Sequence, residues 1–484
     1  MSHVSAGPDT LQDVLRTARP GCTITLEPGH YGPVHLEGVK GPLRLQAEDG
    51  AVFDGGRRRE DFDAEANAEA RRLQDAGRYP GLYDIAMQGH VVLKNCRDIT
   101  LSGLAFSGCW PTCIAIEACQ GIHLDSIDFR EGTFAIFATG ATTRGLLIER
   151  CTFLQDITEH DMWRQIDWKQ IHGGQPVLPS DVRALDGDFF RAFGIAGDVI
   201  IRQCHVRHAF NGVHIFHAAE DGKDPNSNRN VHVYNNRFDY IRDNAIEPER
   251  GGHSWWVFHN DIFNCHKIFS IEAARFGPAY VVGNCYWFDE KPTPEAGNNG
   301  GAIWKLHHDV YPGHGLTYAL HNSFYLRSKY IKKERIFGFL HANNAIDYCD
   351  DSAHQGAICD TSQSFFGKIQ EDDEARHFTK AWDDLDIRFV GDMATHGQFP
   401  DALLSAGYAL ERASGDRPGF CAPTSGDFRL GQEAAARGKG VALDVSLPDG
   451  DIWSLPSGRD IGAWQGERRI ALPPQAYGAW PQTA

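Results

Sequence analysis

No stretch of this 484-residue chain approaches the roughly 18 uncharged apolar residues that a membrane-spanning helix requires. The opening, MSHVSAGPDTLQDVLRTA, has no basic segment followed by an apolar one, so no secretory signal is read there. The expectation is a cytoplasmic protein as the sequence stands, or a secreted or periplasmic one if a signal has been removed. Basic character is also scarce. Lys and Arg total 47 against 64 Asp and Glu, for a net charge of −17. No basic stripe offsets this, which argues against a nucleic-acid partner; YIKKER at 330–335 reads as a solvated loop. The 12 cysteines contain no CxxC pair and no zinc spacing. Most lie inside apolar strand patterns, so Cys151, Cys204 and Cys285 are expected as buried, reduced thiols at inward positions. Runs with a 3.6-residue period are missing as well, which excludes a helical repeat.

A different period is present. DITLSGLAF (98–106), GIHLDSIDF (121–129), GLLIERCTF (145–153), DVIIRQCHV (198–206), NVHVYNNRF (230–238), SWWVFHNDI (254–262) and AYVVGNCYW (279–287) share one alternating pattern. Their first apolar positions are Ile99, Ile122, Leu146, Val199, Val231, Trp255 and Tyr280, mostly 23 to 25 residues apart. Alternation at period two marks strands with one buried face. A unit this short cannot bury that face alone, so the units must stack. Leucine-rich repeats share the length but not the composition. The solution is all-β: a right-handed, single-stranded parallel β-helix of about ten coils, each one rung of about 4.8 Å. Asn235, Asn260, Asn284 and Asn322 fall near one bend, as stacked side-chain amides would. TLQDVLRTA (10–18) reads as a short amphipathic cap helix. The domain reading is a β-helix over 1–350 with inserted loops at 154–185 and 218–229. Residues 351–484 form a loop-rich capping tail of the same domain, with EARHFTKAWDDL a short helix.

A second strand follows in each coil: TFAIFAT (133–139), DFFRAFG (188–194), NGVHIFH (211–217), NAIEPER (244–250), KIFSIEA (267–273) and AIWKLHH (302–308). Third and fifth positions are apolar throughout and point inward, from Ala135 and Phe137 to Trp304 and Leu306. Fourth and sixth positions then point outward. They include Ile136 and Ala138, then Arg191, His214, Glu247 with Glu249, Glu272, and Lys305 with His307. Arg250, His217, Lys267 and Arg275 flank them. Glutamate, histidine, lysine and arginine on one flat face suit the floor of a groove for a polymer. Like carboxylates this close need a cation, a metal or a shared proton. The alternative is a solvated face with ordinary ion pairs. The 154–185 insert carries Trp163 and Trp168, which suit stacking on sugar rings or packing of the insert itself. Asp186 and Asp188 close it, as groove residues or as a turn.

The segments LQDVLRTARPGCTITLEPGHYG, AVFDGG, GDFRLGQEAAARGKGV and RDIGAWQ resemble bacterial parallel β-helix proteins of the polysaccharide-lyase type. The resemblance implies the fold and a carbohydrate substrate. The Glu247-x-Glu249 pair is similar to the calcium-binding acids of the alginate and dermatan lyase family. By that resemblance Glu247 and Glu249 hold calcium, with Asn211 as a third ligand, and Arg275 takes the place of the family arginine. Ser254 stands where the family has its lysine base, so Arg250, Lys267 or Lys305 must substitute.

Three function classes follow. The first is a lyase that cleaves an acidic, uronate-containing polysaccharide or oligosaccharide by β-elimination. Its candidate catalytic residues are Glu247, Glu249, Arg250, Glu272, Arg275, Lys305 and His214. Arg191, His217, Lys267, His307, Trp163, Trp168, Asp186 and Asp188 would bind substrate. The second is a glycoside hydrolase or glycan transferase with paired carboxylates, Glu249 and Glu272 foremost. The third is a noncatalytic glycan-binding solenoid. No organic cofactor is expected, and the oligomeric state is not legible.

Overall fold

Parallel strands, three to a coil, build the molecule. A first-sheet strand such as Gln120–Asp125 leads to a third-sheet strand, Asp128–Arg130, and a second-sheet strand, Phe134–Thr139, before the chain re-enters the first sheet at Arg144–Glu149. The computed structural model describes residues 2–78, 85–173, 176–216, 227–249, 253–272, 277–288, 302–307, 316–327, 329–332, 338–349, 387–395 and 417–480. Its three long sheets hold 13, 10 and 12 strands, so the solenoid is longer than ten coils. This is the parallel β-helix that the repeat implies. Among the described residues no helix is long and apolar enough to cross a membrane.

One interior column carries Ile99, Ile122, Leu146, Val199 and Val231 in unbroken register. All five are buried. Trp255 extends the column, but its next member is Ala279, not Tyr280. Tyr280 lies on the outer face, stacked between Trp256 at 3.9 Å and Tyr318 at 5.1 Å. A second slip of one residue affects the first rung of the other alignment. Ile136 and Ala138 point inward, and Phe137 outward beside Arg191.

A side-chain ladder fixes the bend between the first and third sheets. Asn236, not Asn235, leads it. The Oδ1 of Asn260 accepts from the backbone N of Asn236 at 3.1 Å, and the pattern repeats through Asn284, Asn322 and Asn344 to Asp392. Each ladder residue follows one in the left-handed region: Asn235, His259, Gly283, His321, Asn343 and Gly391. These kinks turn the strand, and the amides satisfy the N–H groups that the turn exposes. Cys204 occupies the equivalent place one coil earlier and donates its N–H to Asn236. Cys151 and Cys204 are buried there as expected. Cys285 is also buried, but it faces outward, in line with Asp261.

Two inserts cover the early coils of the second sheet. The helix Arg59–Asp75, absent from the sequence reading, buries Phe62, Ala66, Ala70 and Leu73. The 154–185 insert contributes Met162, Ile171, Ala184 and Leu185, and both pack on outward Phe134, Phe137 and Phe210. At the N-terminal end the helix Leu11–Thr17 buries Leu11 and Leu15 against the first coils. A further edge strand, Ser2–Ala6, precedes it.

The repeat continues past residue 350, with Ile387–Val390 and Met393–Ala394 each adding a strand. Residues 417–480 then run back along the flank, rather than capping the end. Val441 meets Asn343, Ser446 meets Tyr280, Ile470 meets His259, Ala476 meets His232, and Trp480 reaches His123. Gly283 shows how closely this strap passes. A Cβ there would lie 2.9 Å from Ile470. The expected helix EARHFTKAWDDL lies outside the described residues.

Candidate active site

Past the inserts, the outer face of the second sheet turns from apolar to charged. Its strands are Asp188–Phe193, Asn211–Phe216, Asn244–Glu249, Lys267–Glu272 and Ala302–His307. Alternation sends every second side chain outward, and in-register pairing stacks these in columns. Arg191 lies beside His214, and His214 beside Glu247. Ser270 and then Lys305 continue that column. Beside it Phe216 pairs with Glu249, and further along the sheet the backbone positions of Glu272 and His307 pair with each other.

His214 is the hub. Its Nε2 is 3.1 Å from Glu249 Oε2, and its Nδ1 is 3.5 Å from Glu247 Oε2 and 3.8 Å from Asp188 Oδ1. Burial and Arg191 disfavour its charged form, but Glu247, Asp188 and Glu249 outweigh them and raise its pKa to about 9. At neutral pH it is an imidazolium held by carboxylates. Burial alone would raise Asp188. Arg191 and His214 overcome it and hold that carboxyl below its usual value. Glu247 is buried, accepting from Ser270 Oγ at 2.8 Å and Asn244 Nδ2 at 2.9 Å, with Lys305 Nζ at 3.5 Å. Glu249 and Lys305 are the open members, with side chains 19% and 12% exposed.

A second pair lies alongside. Buried Lys267 donates to Asp243 Oδ1 at 2.6 Å, and its ammonium sits 5.8 Å from the ring centre of Trp168. Burial opposes ionisation of Asp243, but Lys267 and Lys305 hold its carboxyl far below the usual range. Such buried charges survive only when paired. Polar atoms short of a close protein partner gather in the same place: Asp188 Oδ1, His214 Nδ1, Asn244 Oδ1 and Trp168 Nε1.

The structure thus brings together Asp188, Arg191, His214, Glu247, Glu249, Lys267, Lys305 and Trp168. Trp163 is not in the groove. It is buried among core residues against Tyr240 and Phe288, while Arg242 pins the insert through the carbonyls of Met162 and Ile166. Asp186 pairs with His172 at 3.3 Å. Arg250, Arg275 and His217 lie outside the described residues, as do the side chains of Glu272 and His307 and the tip of the 218–229 loop. Asp243, Asn244 and Ser270 were missed by sequence reasoning. Asn244 had a signal, since Asp188, Asn211, Asn244 and Lys267 share the opening position of successive strands.

The donor set is a poor match for calcium. Asn211 accepts from the backbone N of Asn244 and is linked to Glu247 through that residue. The group that converges is His214, Glu247 and Glu249. Calcium takes six to eight oxygens, whereas here an imidazole stands between the acids and Lys305 adds a second cation.

No family model and no curated protein sequence matches the chain. Solved structures do. XylC in complex with xylose is 10% identical, with a TM-score of 0.51 over 96% of this chain and 98% of that one. A PL6-family polysaccharide lyase from Pseudopedobacter saltans is 12% identical, with a TM-score of 0.44 over 82% and 94%. An alginate lyase from Paenibacillus sp. str. FPU-7 is 12% identical, with a TM-score of 0.41 over 70% and 99%. At these identities the likeness is one of fold, the parallel β-helix.

Proposed function

We propose that the protein is a carbohydrate-active enzyme that cleaves a uronate-containing glycan by β-elimination on the outer face of the second sheet. The observation that carries this reading is that the partly exposed Glu249 and Lys305 lie on one face, Glu249 against the buried imidazolium of His214 and Lys305 against Glu247. Lys305 meets the uronate carboxylate and makes the C5 proton more acidic. Glu249, hydrogen-bonded to His214, takes that proton. The C5 electrons form the C4–C5 double bond as the C4–O bond breaks, and protonated Glu249 returns its proton to the leaving oxygen. Asp188 and Glu247 hold His214, and Arg191 and Ser270 hold them in turn. A retaining hydrolase needs two carboxyls facing the sugar about 5 Å apart. Glu249 with Glu272, paired on the sequence pattern, is the second reading. Glu247 and Asp188 are too deeply buried to serve it.

The test is incubation with a panel of acidic polysaccharides, alginate among them. Elimination yields new reducing ends together with the ultraviolet absorbance of an unsaturated uronate. Reducing ends without that absorbance would replace the lyase by the hydrolase. Since His214 and Lys305 already supply the positive charge, a chelator is expected to leave the rate unchanged, and inhibition reversed by calcium would restore the metal reading.

A further inference from the structure

On the flank of the first sheet, away from the charged face of the second, the strap leaves two hollows. One of about 380 Å³ is lined by Asp198, Asn230, His232, Trp256, Asp449 and Gln475, among others. The other, of about 310 Å³, is lined by Gln120, His123, Arg144 and Trp480, among others. Asp198 and Ala479 line both, so the two hollows adjoin along one groove under the strap.

Its polar lining mixes donors, Arg144 among them, with acceptors, and carries more acid than base through Asp98, Asp198 and Asp449. His232 Nδ1 lies 2.8 Å from the carbonyl of Ala476, which can only accept, so the ring proton is on Nδ1 and Nε2 carries a bare lone pair. Burial lowers the pKa of His232, which keeps the ring neutral. Gln475 donates to Asp449 Oδ2 at 2.8 Å, while its own Oε1 is buried without a partner. Asn230 donates to Asp198 Oδ1 at 2.9 Å, leaving the second carboxylate oxygen open. Half-buried Trp480 closes the far end, its indole 6.0 Å from the ring of His123.

We infer that this groove is a binding site for a neutral oligosaccharide. Hydroxyl groups supply the donors that Asp198 and His232 Nε2 lack, and Trp480 offers a ring for a sugar face. Asp198 and Asp449 repel uronates, so the ligand differs in charge from the one proposed for the second sheet, and this inference does not rest on that reading.

Ligand-observed NMR and calorimetry would be run with the hexasaccharides of cellulose, xylan, mannan and laminarin, with hexamannuronate as the anionic control. At least one neutral hexasaccharide is expected to bind. Trp480→Ala and Asp198→Ala should weaken it about tenfold or more, while Glu249→Gln binds as wild type. Trp480 lies past the last described strand, Arg468–Arg469, so its truncation removes no strand, and an unchanged melting temperature establishes that the fold is kept. Absence of binding to all four, unchanged binding by Trp480→Ala, or loss of binding in Glu249→Gln would each overturn the inference.

Discussion

At the scale of single residues, the site turns on His214 and Glu249. Glu249→Gln removes the open carboxylate but keeps an acceptor for His214. Activity should fall at least about a hundredfold. Stability should change little, since no core packing is lost. Parallel loss of melting temperature and activity would mean a structural role. His214 also sets a pH window. Its folded pKa of about 9 lies above the ordinary value near 6.5. A raised pKa means that stabilisation is full below about pH 6.5 and is lost as pH climbs through 9. The amount is on the order of 3 kcal/mol. Thermal unfolding followed from pH 6 to 10 should therefore show a falling melting temperature above neutrality, flattened in His214→Gln. An equal slope in that variant would assign the effect elsewhere. Which charged residues of the site face outward was legible, because alternation decides it where one face is polar. Their partners were not: Ser270, Asn244 and Asp243 meet the acids only after coils distant in sequence are stacked.

At the scale of elements, the ladder of amides and the alternating strands share the stabilisation. Asn260 is fully buried. It accepts from the backbone and side chain of Asn236 and donates to the carbonyl of Val233 at 2.9 Å. Asn260→Ala strands those groups, each costing about 1–3 kcal/mol when buried and unpaired. A loss of several degrees in melting temperature is expected, and a change within error would remove the ladder from the fold's supports. The strands were legible wherever one face was polar. The one-residue slips at Ile136 and Tyr280 arose where both faces are apolar, in Phe134–Thr139 and Ala279–Val282. There the inserts and the strap bury the outer face, and alternation no longer separates inside from outside. The helix Arg59–Asp75 had a legible signal, Phe62, Ala66, Ala70 and Leu73 at helical spacing, overshadowed by the longer repeat.

At the scale of the whole molecule, the strap determines which buried groups belong to the solenoid and which only to its cover. Cys151 and Cys204 belong to the coils themselves, each donating its thiol to a neighbouring carbonyl. Cys285 is outside, sealed by Trp287, Phe428 and Ala463, with Arg469 donating to its sulfur at 2.9 Å. Burial pushes its thiol up to about 12, Arg469 only partly opposing it. Cys421 is exposed. A thiol reagent should then label Cys421 at once in the native protein and leave Cys151, Cys204 and Cys285 untouched. Loosening the strap by Arg469→Ala removes the guanidinium that ties it to Asp261 and Gly283. Cys285 should then react, by mass-resolved labelling, well before Cys151 and Cys204. Simultaneous labelling of all three would mean that strap and solenoid unfold as one unit. Protection of Cys285 in the variant would mean that the apolar seal alone holds the strap in place.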